Sequence, residues 1–163
     1  MSVRDAVFPH FRIVLVEPEI PNNTGNIGRT CVGTSCELHL VGKLGFEIND
    51  KQLRRAGLDY WPHLKWYQHA NVEAWLKQVR DPERVFFFST KAKKSLYEAS
   101  FQAGDWLVFG CETRGLEESL LRQHDAKLLK IPQYGPIRSL NLANAVAVSV
   151  YEGLRQIAPP ARP

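Results

Sequence analysis

The sequence predicts an α/β protein with a mainly parallel sheet flanked by helices. Five short runs rich in β-branched and aromatic residues, at 12–16, 37–41, 84–89, 106–111 and 127–131, are typical of strands, and helical patterns lie between most of them. Runs such as RIVLV and RVFFF are apolar throughout, which indicates strands buried on both faces, as in parallel sheets. With 163 residues, we expect a single domain.

The composition favours a cytoplasmic protein with a polyanionic partner. No apolar run approaches the roughly 20 residues of a membrane span, and Asp5 and Pro9 lie where a signal peptide needs apolar residues. We therefore expect no membrane partner, and flexible tails at 1–10 and 158–163. Lys and Arg exceed Asp and Glu by 21 to 17, and the net charge of +4 fits a polyanion.

The cysteines and histidines form no recognisable metal-binding pattern. Cys31, Cys36 and Cys111 match neither a CxxC pair nor a zinc-ligand spacing, and the five histidines include no HExxH or HxH. We expect no metal and buried or spare thiols. The signatures GxxxxGK[ST] and GxGxxG are also missing from the sequence, which disfavours a nucleoside triphosphatase or an NAD enzyme.

The loop after the first strand carries groups suited to phosphate and ribose oxygens. It reads EPEIPNNTGNIGRT over residues 17–30, where two prolines end the strand and Thr24 is a candidate N-cap for the next helix. Asn23, its asparagine neighbours and Arg29 supply amides and a guanidinium. Gly25 and Gly33, which flank Arg29 on its side of the helix, would let a bulky ligand approach the backbone. The alternative is a capped turn with a solvated arginine.

The loop after the fourth strand contains a glycine turn that leads into a helix. It reads FGCETRGL over 109–116, and backbone N–H groups in such a turn can bind a polar or anionic ligand. Glu112 and Arg114 could pair with each other, or one of them could serve the site. A plain strand-to-helix turn is the alternative.

The loop after the fifth strand precedes the most apolar helical pattern of the chain. Proline and glycine stiffen the segment IPQYGPIRSLN at 131–141, which places Arg138, Ser139 and Asn141 at the start of the last helix; Ser139 is alternatively its N-cap. The helix is predicted over 139–157 and lacks an ordinary polar face. We expect it to contribute to both the core and a dimer interface.

These three loops together resemble the motifs of a known family. PNNTGNIGRT, FGCETRGL and IPQYGPIRSLNLANAV, in this order and at these distances, resemble the three motifs of the SPOUT superfamily of RNA methyltransferases. The match covers about residues 11–157 and is closest to the small subgroup that methylates the wobble ribose of tRNA. The resemblance implies an α/β fold with a C-terminal trefoil knot that holds S-adenosylmethionine. It also implies a homodimer through the helix at 139–157, with sites drawn from both subunits.

The resemblance further implies the roles of individual residues. The cofactor-binding positions are Phe88, Gly110, Ile131, Ser139 and Leu140. The catalytic positions are Asn23, Arg29, Ser139 and Asn141. Because a guanidinium normally stays protonated, we expect Arg29 to hold a phosphate and stabilise the developing alkoxide rather than act as the base. Methyl transfer to the ribose would leave S-adenosylhomocysteine and needs no metal.

Basic and aromatic clusters outside the three motifs are candidate contacts for the tRNA anticodon stem-loop. The basic candidates are Lys91, Lys93, Lys94, Lys51, Arg54, Arg55 and Arg138. Such positive charges would bind phosphates, although runs of this kind are more often solvated faces. Trp61, Trp66 and Tyr67 could stack on an unpaired base, but core packing is the favoured interpretation.

Two other functions stay open at this stage. The chain could be a ribose methyltransferase that acts on another tRNA position or on ribosomal RNA, or a non-catalytic RNA-binding module. Relatives that act elsewhere commonly carry an added RNA-binding domain, so the short chain favours the wobble subgroup. The presence of Asn23, Arg29, Ser139 and Asn141 argues against an inactive pocket.

Overall fold

A six-stranded parallel sheet forms the centre of the molecule. The computed structural model describes residues 9–49, 51, 55 and 59–162. The strands are β1 (Phe11–Val16), β2 (Glu37–Val41), β3 (Trp66–His69), β4 (Val85–Phe88), β5 (Asp105–Phe109) and β6 (Leu128–Leu129). Their spatial order is β3-β2-β1-β5-β4-β6, and every neighbouring pair is parallel. The predicted α/β fold with a parallel sheet is therefore confirmed.

Helices cover both faces of this sheet, which explains the apolar runs in its central strands. The described α-helices of five or more residues are α1 (Pro21–Thr34), α2 (Val72–Leu76), α3 (Glu118–Gln123) and α4 (Leu142–Ile157). On one face, Ile27 of α1 and Val146 of α4 belong to the same core cluster as Ile13 of β1. On the other, Trp75 of α2 and Leu120 of α3 pack in a second cluster. The result is a three-layer arrangement.

The five predicted strands are present, and a sixth was missed. The strand at 66–69 pairs with β2 at the edge of the sheet, where its residues are half-buried or exposed. An edge strand of this kind lacks the continuous apolar run by which the other strands were predicted. Trp61 and Trp66 lie with ring centroids 5.8 Å apart and pack against the core, while Tyr67 stacks on His39. These contacts favour the packing interpretation of the aromatic cluster.

Two predicted helix starts are corrected by the structure. Helix α1 begins at Pro21, so Thr24 is not its N-cap but a fully buried residue inside the helix. Helix α4 begins at Leu142, and its N-cap is Asn141 rather than Ser139, because the Asn141 side chain accepts hydrogen bonds from two backbone N–H groups of the first turn. Both starts therefore differ from the local cap signal in the sequence.

The outer side of α4 carries apolar residues that the single chain leaves uncovered. Ser149 is fully buried and donates to the Ala145 carbonyl oxygen, so it does not give the helix a polar face. Val148 and Tyr151 are 40% and 61% exposed. The helix thus packs against the core on one side and presents apolar groups on the other.

A histidine pair joins β2 to the edge strand β3. His39 is 5% exposed, its Nδ1 lies 3.0 Å from Nε2 of His69, and its Nε2 lies 3.0 Å from Oε2 of Glu37. Burial, together with the neighbouring His39, lowers the pKa of His69. The hydrogen bond from His39 lowers the pKa of Glu37. The cluster therefore disfavours a charge on His69.

The cysteines are buried thiols, as expected. Cys31, Cys36 and Cys111 are all free and buried. Burial raises the pKa of Cys36 to about 11 and that of Cys31 well above its usual value, so both thiols stay protonated at neutral pH. No helix in the described part of the chain is both long enough and apolar enough to cross a membrane.

Candidate active site

A cavity of about 510 Å³ lies where the carboxyl ends of β4 and β5 meet the segment before α4. Ligands bind at this edge of open parallel sheets, and the volume is in the range of small-molecule sites. The residues that line it include all five predicted cofactor-binding positions, namely Phe88, Gly110, Ile131, Ser139 and Leu140. Asn23 and Asn141 line the same cavity. Three loops distant in sequence thus form one site.

Two stacked aromatic rings form an apolar wall of the cavity. Phe88 at the end of β4 and Phe109 at the end of β5 have ring centroids 4.5 Å apart and planes inclined by 10°. Both residues line the cavity, and both are more than nine-tenths buried. The neighbouring strands hold these rings rigidly, because β5 pairs with β4 along most of its length. This wall suits the apolar or aromatic part of a ligand.

Gly110 lets the loop after β5 fold back closely on itself. A Cβ atom at this position would lie 2.0 Å from the Gly115 carbonyl carbon and 2.2 Å from the Leu116 nitrogen. The Gly115 N–H donates to the Cys111 carbonyl oxygen at 3.0 Å, and Gly115 has a φ of 69°. Glycine is required at both positions, at Gly110 by space and at Gly115 by conformation. The tight turn keeps main-chain groups at the cavity surface.

The Glu112 carboxylate joins this turn to the start of α1. Its oxygens accept hydrogen bonds from the Glu19 N–H at 2.8 Å, the Ile20 N–H at 2.7 Å and the Asn23 side-chain amide at 3.2 Å. A carboxylate at a helix N-terminus is favoured by the partial positive charge there. Glu112, which lines the cavity, therefore holds the segment that enters α1, but it does not cap the helix, whose N-cap Ile20 makes no side-chain cap hydrogen bond. No described ion pair joins Glu112 to Arg114.

Asn23 connects the first loop to the third. Its side-chain oxygen accepts a hydrogen bond from the Asn141 amide at 3.1 Å, while its own amide nitrogen donates to Glu112. Asn23 is 7% exposed, so these partners determine its orientation. The Asn141 side-chain oxygen at the same time caps α4. The predicted pair Asn23 and Asn141 is therefore in direct contact inside the cavity.

A second link between the first two loops was not found in the sequence. Glu19 Oε1 accepts hydrogen bonds from the Thr113 N–H at 3.1 Å and from the Thr113 hydroxyl at 2.7 Å. The hydroxyl bond lowers the pKa of Glu19, so its carboxylate is charged at neutral pH. In the sequence, only the acidic residues of EPEIPNN and CETRG could have indicated this link between the two loops. Glu19 and Glu112 each bind the opposite loop, which fixes the two loops together.

Arg29 lies outside this cavity, on the exposed side of α1. Its guanidinium carbon is 6.0 Å from the centroid of the Tyr60 ring. Of the two glycines expected on the Arg29 side of the helix, Gly25 and Gly33, the latter has open space where a Cβ would lie, whereas Gly28 faces the chain's own side chains. A Cβ there would meet Leu64 at 3.1 Å and Trp61 at 3.3 Å, so the chain's own side chains fill the space. The glycine thus permits helix packing instead of ligand access.

The predicted basic residues are distributed around the cavity and beyond it. Lys91 and Arg138 line the cavity and are exposed. Lys93 and Lys94 are exposed on the same loop as Lys91. Lys51 and Arg55 are exposed elsewhere, and Arg54 lies outside the described residues. Within the described ranges, no group of three or more His, Cys, Asp or Glu side chains is placed to hold a metal ion.

The fold and the cavity define the class of the protein. It is an α/β protein with a parallel sheet, and the segment before its last helix completes a ligand site at the carboxyl ends of the strands. The chain matches the SpoU rRNA Methylase family over residues 10–151 and belongs to that family.

Similar proteins share almost the full length of the chain. A tRNA (cytidine(34)-2'-O)-methyltransferase of Saccharophagus degradans is 52% identical over 148 residues, which cover 90% of this chain and 96% of that protein. A protein of the same name from Yersinia pestis is 46% identical, with 91% and 94% covered. A solved structure concerned with 2-OH methylation of C/U34 on tRNA is 49% identical, with a TM-score of 0.85 and 91% and 97% covered.

Proposed function

We propose that this chain is a tRNA methyltransferase that transfers the methyl group of S-adenosylmethionine to the ribose 2'-hydroxyl of nucleotide 34. One observation carries the proposal: the three motif loops meet at one cavity, where Asn23 binds both Glu112 and Asn141. The similarity to proteins of this activity, over nine-tenths of the chain, supports it. Their shared name favours nucleotide 34 over another tRNA position or ribosomal RNA.

The cavity fits a nucleoside-containing methyl donor. The stacked rings of Phe88 and Phe109 offer an apolar wall for a base, and the turn at Gly110 offers main-chain donors and acceptors. Ile131 and Leu140 complete the lining, with Ser139 beside them. The donor supplies a methyl group activated on a sulfonium. No metal takes part in the proposed reaction.

The residues of the chain contribute alignment and charge stabilisation. Transfer needs the ribose oxygen, the methyl carbon and the sulfur in line, and alignment can supply roughly 7 to 11 kcal/mol of the barrier. Asn23 and Asn141 are held rigidly enough to orient the two reactants, because each makes hydrogen bonds on both sides. Ser139 adds a hydroxyl at the same wall. Arg29 holds the adjacent phosphate and stabilises the developing alkoxide.

A homodimer reconciles this role of Arg29 with its position outside its own cavity. The exposed apolar side of α4, with Val148 and Tyr151, is the proposed interface. In this arrangement the partner's Arg29 faces the cavity, and each site draws on both subunits. The C-terminal trefoil knot implied by the resemblance belongs to the same proposal. Lys91, Lys93, Lys94 and Arg138, which lie at or near the cavity, would bind the phosphates of the anticodon stem-loop.

Methylation of synthetic tRNA tests the reaction and its position. Purified protein, S-adenosylmethionine and unmodified tRNA transcripts should give one added methyl group at nucleotide 34, located by nuclease digestion and mass spectrometry. A matched transcript with 2'-deoxyribose at nucleotide 34 alone should accept none. Equal methylation of both transcripts, or a methyl group on the base, would refute the proposal.

Arg29→Ala tests the proposed division of roles. This variant should lose at least about 100-fold in methyl transfer yet bind S-adenosylmethionine with unchanged affinity in calorimetry, because Arg29 acts on the phosphate and the developing alkoxide of the RNA and not on the methyl donor. Near wild-type turnover would remove Arg29 from the mechanism.

Mixed dimers test whether the site is shared. Arg29→Ala and Leu140→Glu, which places a charge in the cavity, should each be inactive as homodimers. A heterodimer of the two, purified through different tags, should regain activity, because one site then combines an intact cavity with an intact arginine. An inactive heterodimer would show that Arg29 serves its own chain. Light scattering should give twice the chain mass of 18.6 kDa for the wild type and a monomer for Val148→Glu.

A further inference from the structure

Tyr60 contacts Arg29 at both ends of the arginine. Its ring lies under the guanidinium, with 6.0 Å between the ring centroid and the guanidinium carbon. Its hydroxyl interacts with the backbone of α1 at Gly25 and Arg29. We propose that Tyr60 is a positioning residue that holds Arg29 in the orientation needed for methyl transfer. This inference rests on the proposed function, in which Arg29 acts on the substrate.

The hydroxyl of Tyr60 fixes the ring to one turn of α1. It donates a hydrogen bond to the Gly25 carbonyl oxygen, and a backbone hydrogen bond from Arg29 also acts on it. These two groups are four residues apart, which is the spacing of one helical hydrogen bond. Tyr60 is 8% exposed, and burial raises its pKa, so the hydroxyl stays protonated and able to donate. The ring is thereby anchored beside the residue that it supports.

Gly28 allows this close arrangement. A Cβ at position 28 would lie 3.3 Å from Cε2 of Tyr60 and 3.1 Å from Cδ2 of Leu64. A Cβ at these distances would require the Tyr60 and Leu64 side chains to move by a few tenths of an ångström, and a bulkier residue would displace the ring further. The glycine lies one residue before Arg29, on the neighbouring side of the helix. Gly28 is therefore suited to the aromatic support of Arg29.

An aromatic ring positions a guanidinium without occupying its hydrogen-bond donors. A carboxylate would neutralise the charge of Arg29 and take up its N–H groups, whereas a ring face attracts the cation through its quadrupole. Arg29 is exposed and long, so it loses rotamer freedom when the ring restricts it. Restriction before the substrate arrives lowers the entropy lost in the transition state. The donors stay free for a phosphate and for the developing alkoxide.

Substitutions of Tyr60 separate positioning from general stability. Tyr60→Leu should lower kcat roughly tenfold, with an unchanged KM for S-adenosylmethionine because Tyr60 does not line the cavity. Tyr60→Phe keeps the ring and should recover most of this loss. Tyr97→Leu, the same change at an exposed tyrosine, should leave kcat unchanged. A Phe variant as slow as the Leu variant would overturn the inference.

A spectroscopic measurement shows the contact directly and does not depend on catalysis. The Arg29 Nε–H proton should resonate upfield in the wild type and in Tyr60→Phe because of the ring current, and should shift downfield in Tyr60→Leu. No change in Tyr60→Leu would overturn the inference.

The two proposals fail in distinguishable ways. If Arg29→Ala is inactive while Tyr60→Leu retains kcat within about twofold of the wild type, far less than misplacement of a reacting group costs, positioning by Tyr60 is wrong and the proposed function stands. If Arg29→Ala itself turns over normally, the assigned role of Arg29 is wrong, and the positioning role of Tyr60 is lost with it.

Discussion

Replacing Gly110 with alanine should disrupt both the fold and the cavity. The new Cβ would lie 2.0 to 2.5 Å from backbone atoms of Gly115 and Leu116, whereas ordinary contacts begin at 3.4 Å. The facing backbone must therefore retreat by more than about 1 Å, which would disturb the turn that the hydrogen bond from the Gly115 N–H to the Cys111 carbonyl oxygen closes. Overpacking typically costs about 1 to 3 kcal/mol, and we expect the upper end because no flexible side chain can yield.

Gly33→Ala is the matched control for this substitution. Gly33 is exposed in α1, and an added Cβ would meet nothing within 4 Å. Alanine in a helix interior is roughly 0.5 to 1 kcal/mol more stable than glycine. The same chemical change should therefore stabilise the protein at position 33 and destabilise it at position 110.

Thermal unfolding and donor binding measure the two outcomes. For a chain of this size, a change of about 3 kcal/mol corresponds to roughly 6 to 12 °C, so Gly110→Ala should lower Tm by this amount and Gly33→Ala should raise it slightly. Calorimetry with S-adenosylmethionine should show binding to Gly33→Ala and none to Gly110→Ala. A Gly110→Ala protein with the Tm and donor affinity of the wild type would refute the steric argument.

Three further predictions concern the links around the sheet. Glu112→Gln should lower the free energy of unfolding, measured in urea, by about 1 to 3 kcal/mol. The reason is that one amide oxygen cannot replace a carboxylate that accepts hydrogen bonds from Glu19, Ile20 and Asn23. Unchanged stability would contradict this. Gly153→Ala should destabilise the protein by about 1 to 2 kcal/mol despite the higher helix propensity of alanine. The new Cβ would lie 2.5 Å from the ring of the buried Phe11. Stability equal to that of the wild type would show that the ring can move. The pKa of His69 in the folded protein lies below its usual value of 6.5. The unfolded chain therefore binds a proton at this histidine more readily than the folded chain does, and the stability of the fold should decrease as the pH drops below about 6.5. His69→Gln should reduce this dependence in urea titrations at several pH values, and an unaltered pH profile would exclude His69 as its source.

The sheet and the cavity were predictable because their signals are local. Strands buried on both faces have continuous apolar runs, so β1, β2, β4 and β5 could be recognised from composition alone. The rule that ligands bind at the carboxyl ends of parallel strands then directed attention to the three polar loops. Asn23 and Asn141 do meet there, although 118 residues separate them.

The features that were missed depend on contacts between distant segments. Thr24 looked like a helix cap, but α1 begins at Pro21 without a side-chain cap, and Glu112 from the loop after β5 holds the segment that enters it. Ser139 was a candidate cap of α4, but the cap is Asn141, whose side chain also contacts Asn23 of the first loop. A local sequence pattern indicates that a helix start requires a hydrogen-bond partner, but it does not indicate which segment of the chain provides that partner. Both errors lie at helix starts that contact a distant segment.

The hydrogen bonds of the site also explain why its three loops have to be present together. The Glu112 carboxylate satisfies backbone N–H groups of the first loop, and without it these groups at a helix start would lack their acceptor. Asn23 depends on Glu112 for one side of its amide and on Asn141 for the other. Asn141 in turn caps α4. Formation of the cavity lining is therefore coupled to the docking of the last helix, because the contact between Asn23 and Asn141 requires α4 to be in place.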